Sequence, residues 1–202
     1  PTAAEGASLG GYFSGTSGAW WAWYPNGGTL QGGSVEAGTL ALGTDGTGGA
    51  VDLSASAAKP WYTAGVAYAD IKHLVSVGGI KVSNMESAFQ KTTAQPYGLI
   101  TFDGSGMDVS ACTSFVRVFK DCSTLTTVNF DGWSLYVDGW TTDSAAVSNY
   151  ISQSFSTSIT TITLGPKWNG NKWVSFFDGT WYAVSATGTG VPESTNDMNT
   201  LY

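Results

Sequence analysis

The chain has 202 residues, of which 42% are hydrophobic and only 11% charged, with 27 Gly, nine Trp and a formal net charge of −7. It is long enough to bury one sizeable core, and too apolar to be intrinsically disordered. An acidic balance, with only eight Lys and Arg scattered singly, excludes a phosphate-neutralising patch and so argues against nucleic acid or anionic lipid as partner.

Charge poverty together with abundant Gly, Ser, Thr and aromatics reads as an extracellular β-rich protein. No run approaches the roughly 18–20 apolar residues of a membrane span, and no basic segment leads into an apolar one, so a secretion signal is expected outside this sequence.

In chain order, residues 1–59 form a Gly- and Trp-rich segment holding Trp20-Trp21-Ala22-Trp23-Tyr24 before Pro25-Asn26-Gly27-Gly28 and Thr29-Leu30. Aromatics before an Asn-Gly turn predict a β-hairpin, in which the Trp strand pairs with the one that follows. The segment is assigned as an N-terminal β cap.

Residues 60–165 carry short apolar strands, each closed by a turn signal: 71–77, 97–102, 125–130 and 159–164. Three of them share apolar first, fourth and sixth positions: Tyr97/Ile100/Phe102, Leu125/Val128/Phe130 and Ile159/Ile162/Leu164, at spacings of 28 and 34. A second phrase precedes each: Val82-Ser-Asn-Met85 to Phe89, Cys112-Thr-Ser-Phe115 to Phe119, and Val147-Ser-Asn-Tyr150 to Phe155. A polar opening followed by apolar residues at helical spacing predicts a short helix. One strand and one short helix cannot bury their apolar faces alone, so the units are expected to stack. Met85, Phe89, Phe119, Leu125, Val128 and Ile162 should then share one core. Residues 166–202, with Trp168, Trp173 and Trp181-Tyr182 between turn signals, are assigned as a β C-terminal cap and tail.

The phrases resemble the repeat of BspA-type leucine-rich-repeat bacterial surface proteins. The unit from Thr113 to Trp133, with Phe119, Cys122, Leu125 and Gly132 at the repeat's positions, carries most of the likeness; Val82-Ser-Asn-Met85-Glu-Ser-Ala-Phe89 matches its opening. The resemblance implies an α/β repeat: a short leucine-rich-repeat solenoid of parallel strands with short helices, capped by antiparallel β elements. It implies a non-catalytic adhesion module at the cell surface or secreted, binding a host or matrix protein or a surface glycan, and no catalytic residues.

The residues themselves point the same way. His73 is the sole histidine, in a predicted strand without a G-x-S-x-G elbow, and reads as structural or solvent-facing. Of the four Glu residues, Glu5, Glu36, Glu86 and Glu193, the first and last sit in the termini and Glu86 in a helical phrase, and none is embedded in an alternating aromatic strand as a cleft acid would be. Asp103 and Asp131 occupy matching turn positions after their strands. Cys112 and Cys122, with a helix expected between them, read as two buried thiols, and no metal or cofactor is implied. Trp133, Tyr136 and Trp140, on an insertion between repeats, are the candidate binding residues. The remaining Trp residues are expected to close the ends of the core in a monomer. The rival readings are a carbohydrate-binding module with an exposed Trp platform, and a jelly-roll glycosidase.

Overall fold

The computed structural model describes residues 6–46, 48–133 and 158–164, together with two short strands further on. In chain order the elements are β1 (Leu9–Tyr12), β2 (Ala19–Tyr24), β3 (Gly28–Leu30), β4 (Gly33–Val35), β5 (Thr39–Thr44), β6 (Val51–Asp52), α1 (Pro60–Thr63), β7 (His73–Ser76), β8 (Ile80–Asn84), β9 (Thr101–Asp103), β10 (Met107–Asp108), β11 (Thr127–Phe130), β12 (Thr161–Leu164), β13 (Trp181–Tyr182) and β14 (Ser194–Thr195).

The architecture is a β-solenoid. A seven-stranded sheet runs β1-β2-β5-β7-β9-β11-β12, and from β5 onward every neighbouring pair is parallel. A second parallel sheet, β6-β8-β10, lies across the core, so three coils carry a strand in both sheets. The parallel ladder starts at Thr39, inside the segment assigned to the cap by composition.

Parallel stacking follows from where the backbone hydrogen bonds go. At the entry to each coil one amide donates to the coil before: Lys72 N to Gly38 O at 2.9 Å, Ile100 N to Lys72 O at 2.7 Å, Thr126 N to Ile100 O at 2.9 Å and Thr160 N to Thr126 O at 2.9 Å. Side chains repeat the motif, with the Thr124 hydroxyl donating to Leu99 O and that of Ser158 to Leu125 O, both at 2.7 Å.

This ladder brings Leu40, Leu74, Phe102, Val128 and Ile162 level across the five parallel strands. The sequence alignment set Phe102 level with Phe130; the structure sets it level with Val128. Side chains alternate with period two along a strand, so a slip of two residues leaves the same face inward, and the apolar pattern alone does not distinguish the two registers.

The inward residues form one stack. Met85, Phe89, Phe119, Leu125 and Val128 are buried together, with Ile162 packed against them. The aromatic rings form its centre: Phe102 lies 4.7 Å from Phe119, 5.8 Å from Phe89 and 6.0 Å from Phe130 between centroids.

The short helices expected at 82–89 and 112–119 do not form. The amides of Met85, Ser87, Phe89 and Lys91 donate instead to the carbonyls of Ser114, Val116, Val118 and Lys120 in the next coil. Ser87 and Arg117 take positive φ values of 54° and 57°, which no helix accommodates. Successive turns close the segment through Cys112 N to Val109 O, Val118 N to Phe115 O and Cys122 N to Phe119 O. Turns of this span return every third residue to one side, which is why Phe115, Val118, Phe119 and Cys122 carry a helix-like apolar spacing without a helix. Both thiols are free and buried, as expected, although turns rather than a helix separate them.

The first coil is closed by β1, β2 and α1. Strand β2 is buried along its whole length, with Trp21 and Trp23 in the main core and Trp20, Ala22 and Tyr24 on the opposite face. The hairpin expected between β2 and β3 is not the one that forms: β2 lies antiparallel between β1 and β5, while β3 pairs β4. Gln31 and Gly32, at φ 50° and 81°, supply the two positive-φ positions of a type I′ turn. That hairpin folds over Trp20 and Tyr24. Gly43 permits the arrangement, because a Cβ there would lie 2.3 Å from the Trp20 ring. Helix α1 begins with Pro60 and buries Trp61 edge-on to Phe13 at 6.1 Å.

Truncating the centre of the stack tests its weight. Phe102→Ala should lower unfolding stability by about 3–5 kcal/mol, the cost typical of an emptied aromatic core site. Urea unfolding of wild type and variant measures this, and a loss under about 1 kcal/mol would show that the coils do not share a core.

Candidate functional site

With alternate residues inward, the others form two rows on the outer face of the ladder. One row is Thr39, His73, Thr101, Thr127 and Thr161; the other is Ala41, Val75, Asp103, Asn129 and Thr163. Neighbouring strands are spaced by ~4.8 Å, so each row is a regular file of short polar side chains over most of its length.

The two ends of this face differ. Over β2, β5 and β7 the β3–β4 hairpin covers it: Leu30 and Val35 pack with Trp20, Tyr24, Ala41, Val75 and Val77. From β9 onward exposure increases: Thr101, Asp103, Thr127 and Asn129 are half-buried, and Thr161 and Thr163 are exposed.

His73 marks the boundary. Its Nε2 lies 3.1 Å from the Glu36 carboxylate at the hairpin exit, and its Nδ1 lies 2.9 Å from the Thr101 hydroxyl. A carboxylate only accepts, so Nε2 carries the hydrogen, and in the neutral ring Nδ1 accepts from Thr101. Glu36 is itself 78% exposed in its side chain, which limits such a pair to under about 1 kcal/mol. Thr101, His73 and Glu36 have the connectivity of a nucleophile, base and orienting acid. The orienting carboxylate is not buried, however, and the Thr101 amide is committed to Lys72 O rather than free to serve as an oxyanion donor. The trio acts as a clasp between hairpin and ladder.

Asp103 and Asn129 turn the chain at the ends of β9 and β11. Asp103 Oδ1 accepts from the Ser105 amide at 3.0 Å and the Ser105 hydroxyl at 2.6 Å, and Asn129 Oδ1 from the Asp131 amide at 3.0 Å. Asp103 is thus level with Asn129 rather than with Asp131, the same two-residue slip seen in the core. Among the described residues, the hydroxyls of Thr127, Thr161 and Thr163 have no hydrogen-bond partner. They are the free polar groups of the face, and the sequence reading missed them. The signal was there in the alternation Thr127-Val128-Asn129 and Thr161-Ile162-Thr163, which reads polar-out once the inward positions are known.

Of the sequence-derived binding residues, Trp133 is 3% exposed, and its indole N–H donates to Gly104 O at 2.7 Å. Its ring packs at 4.7 Å on Phe130 and 5.5 Å on Phe115, so it belongs to the core rather than to an exposed loop. Tyr136 and Trp140 lie outside the described residues, as do Glu5 and Glu193. The five tryptophans whose side chains are described, Trp20, Trp21, Trp23, Trp61 and Trp133, are all buried. Among the described residues no three His, Cys, Asp or Glu side chains group as a metal site, and no helix is long and apolar enough to cross a membrane. Comparison with known proteins finds no matching protein family, no similar curated protein and no similar solved structure.

Buried ionisable groups lie away from this face. Lys59 donates to Leu53 O and Ser54 O at 2.5 and 2.6 Å; burial pulls its pKa down to about 8, with Asp52 opposing. Burial pushes the thiols of Cys112 and Cys122 up to about 11 and about 12, against backbone hydrogen bonds that favour their ionisation. Between pH 8 and the ordinary lysine value of 10.5 the unfolded chain holds the extra proton, so Lys59 makes stability rise with pH. Above the ordinary thiol value of 9.0 the folded chain holds the extra protons, so the cysteines make stability fall. Denaturant unfolding across pH 7 to 11 should therefore show a maximum at roughly pH 9. Lys59→Met should remove the rising limb; a variant that keeps it would assign that limb to another group.

Proposed function

We propose that this chain is a non-catalytic binding module of the BspA-type leucine-rich-repeat kind, secreted or displayed at the cell surface, that holds a protein or glycan partner on the outer face of its parallel ladder. The observation that carries this reading is the contrast between the two sides of the same strands. Inward positions are buried from β5 to β11 and Ile162 of β12 packs against them, whereas outward positions from β9 to β12 present Thr, Asn and Asp side chains, three of whose hydroxyls have no partner among the described residues. A rigid sheet carrying free hydrogen-bonding groups is a preorganised binding surface, and its ordering cost on association is small.

The charge-poor composition supports an extracellular setting. The non-catalytic reading of the trio is supported by the exposed orienting acid and by the commitment of the Thr101 amide to Lys72 O. The described tryptophans are spent on the core, which gives no support to an exposed Trp platform. A parallel ladder also differs from the antiparallel sandwich of a jelly-roll glycosidase. Tyr136 and Trp140 remain in the proposal as candidates drawn from the sequence alone.

A mixed array of glycans and matrix proteins probed with the full chain tests the reading. Thr127→Arg with Thr161→Arg should lower binding of any captured partner at least tenfold at unchanged melting temperature. Loss confined to Tyr136→Ala with Trp140→Ala would move the site to those two residues. Turnover of a captured glycan would make the protein an enzyme instead.

A further inference from the structure

Resting on that reading, we infer that the outward face of β9, β11 and β12 takes an uncharged glycan chain lying across the strands, along the solenoid axis.

The inventory of the face argues for hydroxyl-bearing ligands. Thr127, Thr161 and Thr163 each offer a group that both donates and accepts. Asn129 has spent its Oδ1 on the Asp131 amide but keeps two N–H donors, and Asp103 has spent Oδ1 on Ser105 but keeps Oδ2 as acceptor. Donors and acceptors interleaved in short reach suit sugar hydroxyls, which are themselves both. They do not suit a ligand of one polarity.

Charge narrows the class. Neither row contains Lys or Arg: the ionic groups in the rows are Asp103 and His73, with Glu36 against His73 and Asp131 next to Asn129, while Lys72, which precedes His73, turns its ammonium onto Ala69 O. Sulfated, phosphorylated or uronic-acid chains would meet the Asp103 carboxylate with no Lys or Arg in either row to pair. A protein partner is disfavoured on other grounds: Trp, Tyr and Arg, the usual anchors of a protein interface, are missing from these positions. Val75, the one large apolar side chain of the rows, sits under the hairpin.

Geometry gives the direction. Thr101, Thr127 and Thr161 repeat at ~4.8 Å across the strands, so a ligand of repeating units finds repeating partners only along that axis. β-Branched threonines on a hydrogen-bonded ladder hold few rotamers, so little freedom is lost when a ligand docks. The Glu36–His73 clasp and the hairpin behind it close one end of the track.

The probes are neutral oligosaccharides (β-glucan, mannan and galactan series), the anionic chains polygalacturonate and heparin, and collagen and fibronectin, all offered to the full chain. A neutral oligosaccharide should bind, with heparin and polygalacturonate excluded. Thr127→Val and Thr161→Val, which keep the shape and remove one hydroxyl each, should weaken it about 3–10-fold apiece, the range for a lost hydrogen bond. Their melting temperatures should match wild type, because neither hydroxyl has a partner among the described residues. Neutral-glycan binding undiminished in the double variant overturns the inference. Capture of an anionic chain or a protein through these threonines also overturns it, yet leaves the binding-module reading standing. A chain that holds none of the probes overturns both.

Discussion

Everything in this protein hangs on one repeated hydrogen bond, in which the amide entering each coil donates to the carbonyl at the same place in the coil before. Gly38, Lys72, Ile100, Thr126 and Thr160 form that file. Each bond is worth little net of water, about 1 kcal/mol, but its geometry is not negotiable. It fixes the register of five parallel strands, and the register decides which side chains face inward. Thr124 and Ser158 reinforce the file with hydroxyls directed at the preceding coil.

Given that register, packing and binding become two consequences of the same alternation. Leu74, Phe102 and Val128 point inward and meet Phe89, Phe119 and Leu125 across the coil. Their chain neighbours His73, Thr101 and Thr127 must then point outward. A coil of this kind leaves apolar surface open at its first end, and the answer is aromatic: Trp21 and Trp23 cover the core from one side of β2, and Trp61 closes beside Phe13. The other side of β2 would expose Trp20 and Tyr24, and the β3–β4 hairpin covers them. The Glu36–His73 contact joins that cover to the ladder, so the end of the polar track and the seal of the aromatic cap share one side chain.

Much of this was legible in the chain. Short strands closed by turns, the stacking of units and the burial of Met85, Phe89, Phe119, Leu125 and Val128 follow from apolar spacing, because only residues that meet in one layer need to be apolar together. The helical phrases misled for a definite reason. Apolar residues three and four apart fit a helix, and they equally fit turns that return to one side at every third position; Ser87 and Arg117, at positive φ, choose the turns. Trp133 misled because a Trp next to Asp-Gly reads as a loop residue, whereas its indole finds Gly104 O one coil away.

Composition and apolar alternation suffice for a charge-poor chain of stacked parallel strands with an inward apolar face, since both are local and survive any choice of partner strand; they do not suffice to replace the expected short helices by turns. The tertiary structure alone decided that Phe102 is level with Val128, that β2 pairs β1 and β5 rather than β3, and that Thr127, Thr161 and Thr163 share one open face. Those outcomes depend on which distant carbonyl each amide reaches, and a pattern of period two is blind to a slip of two.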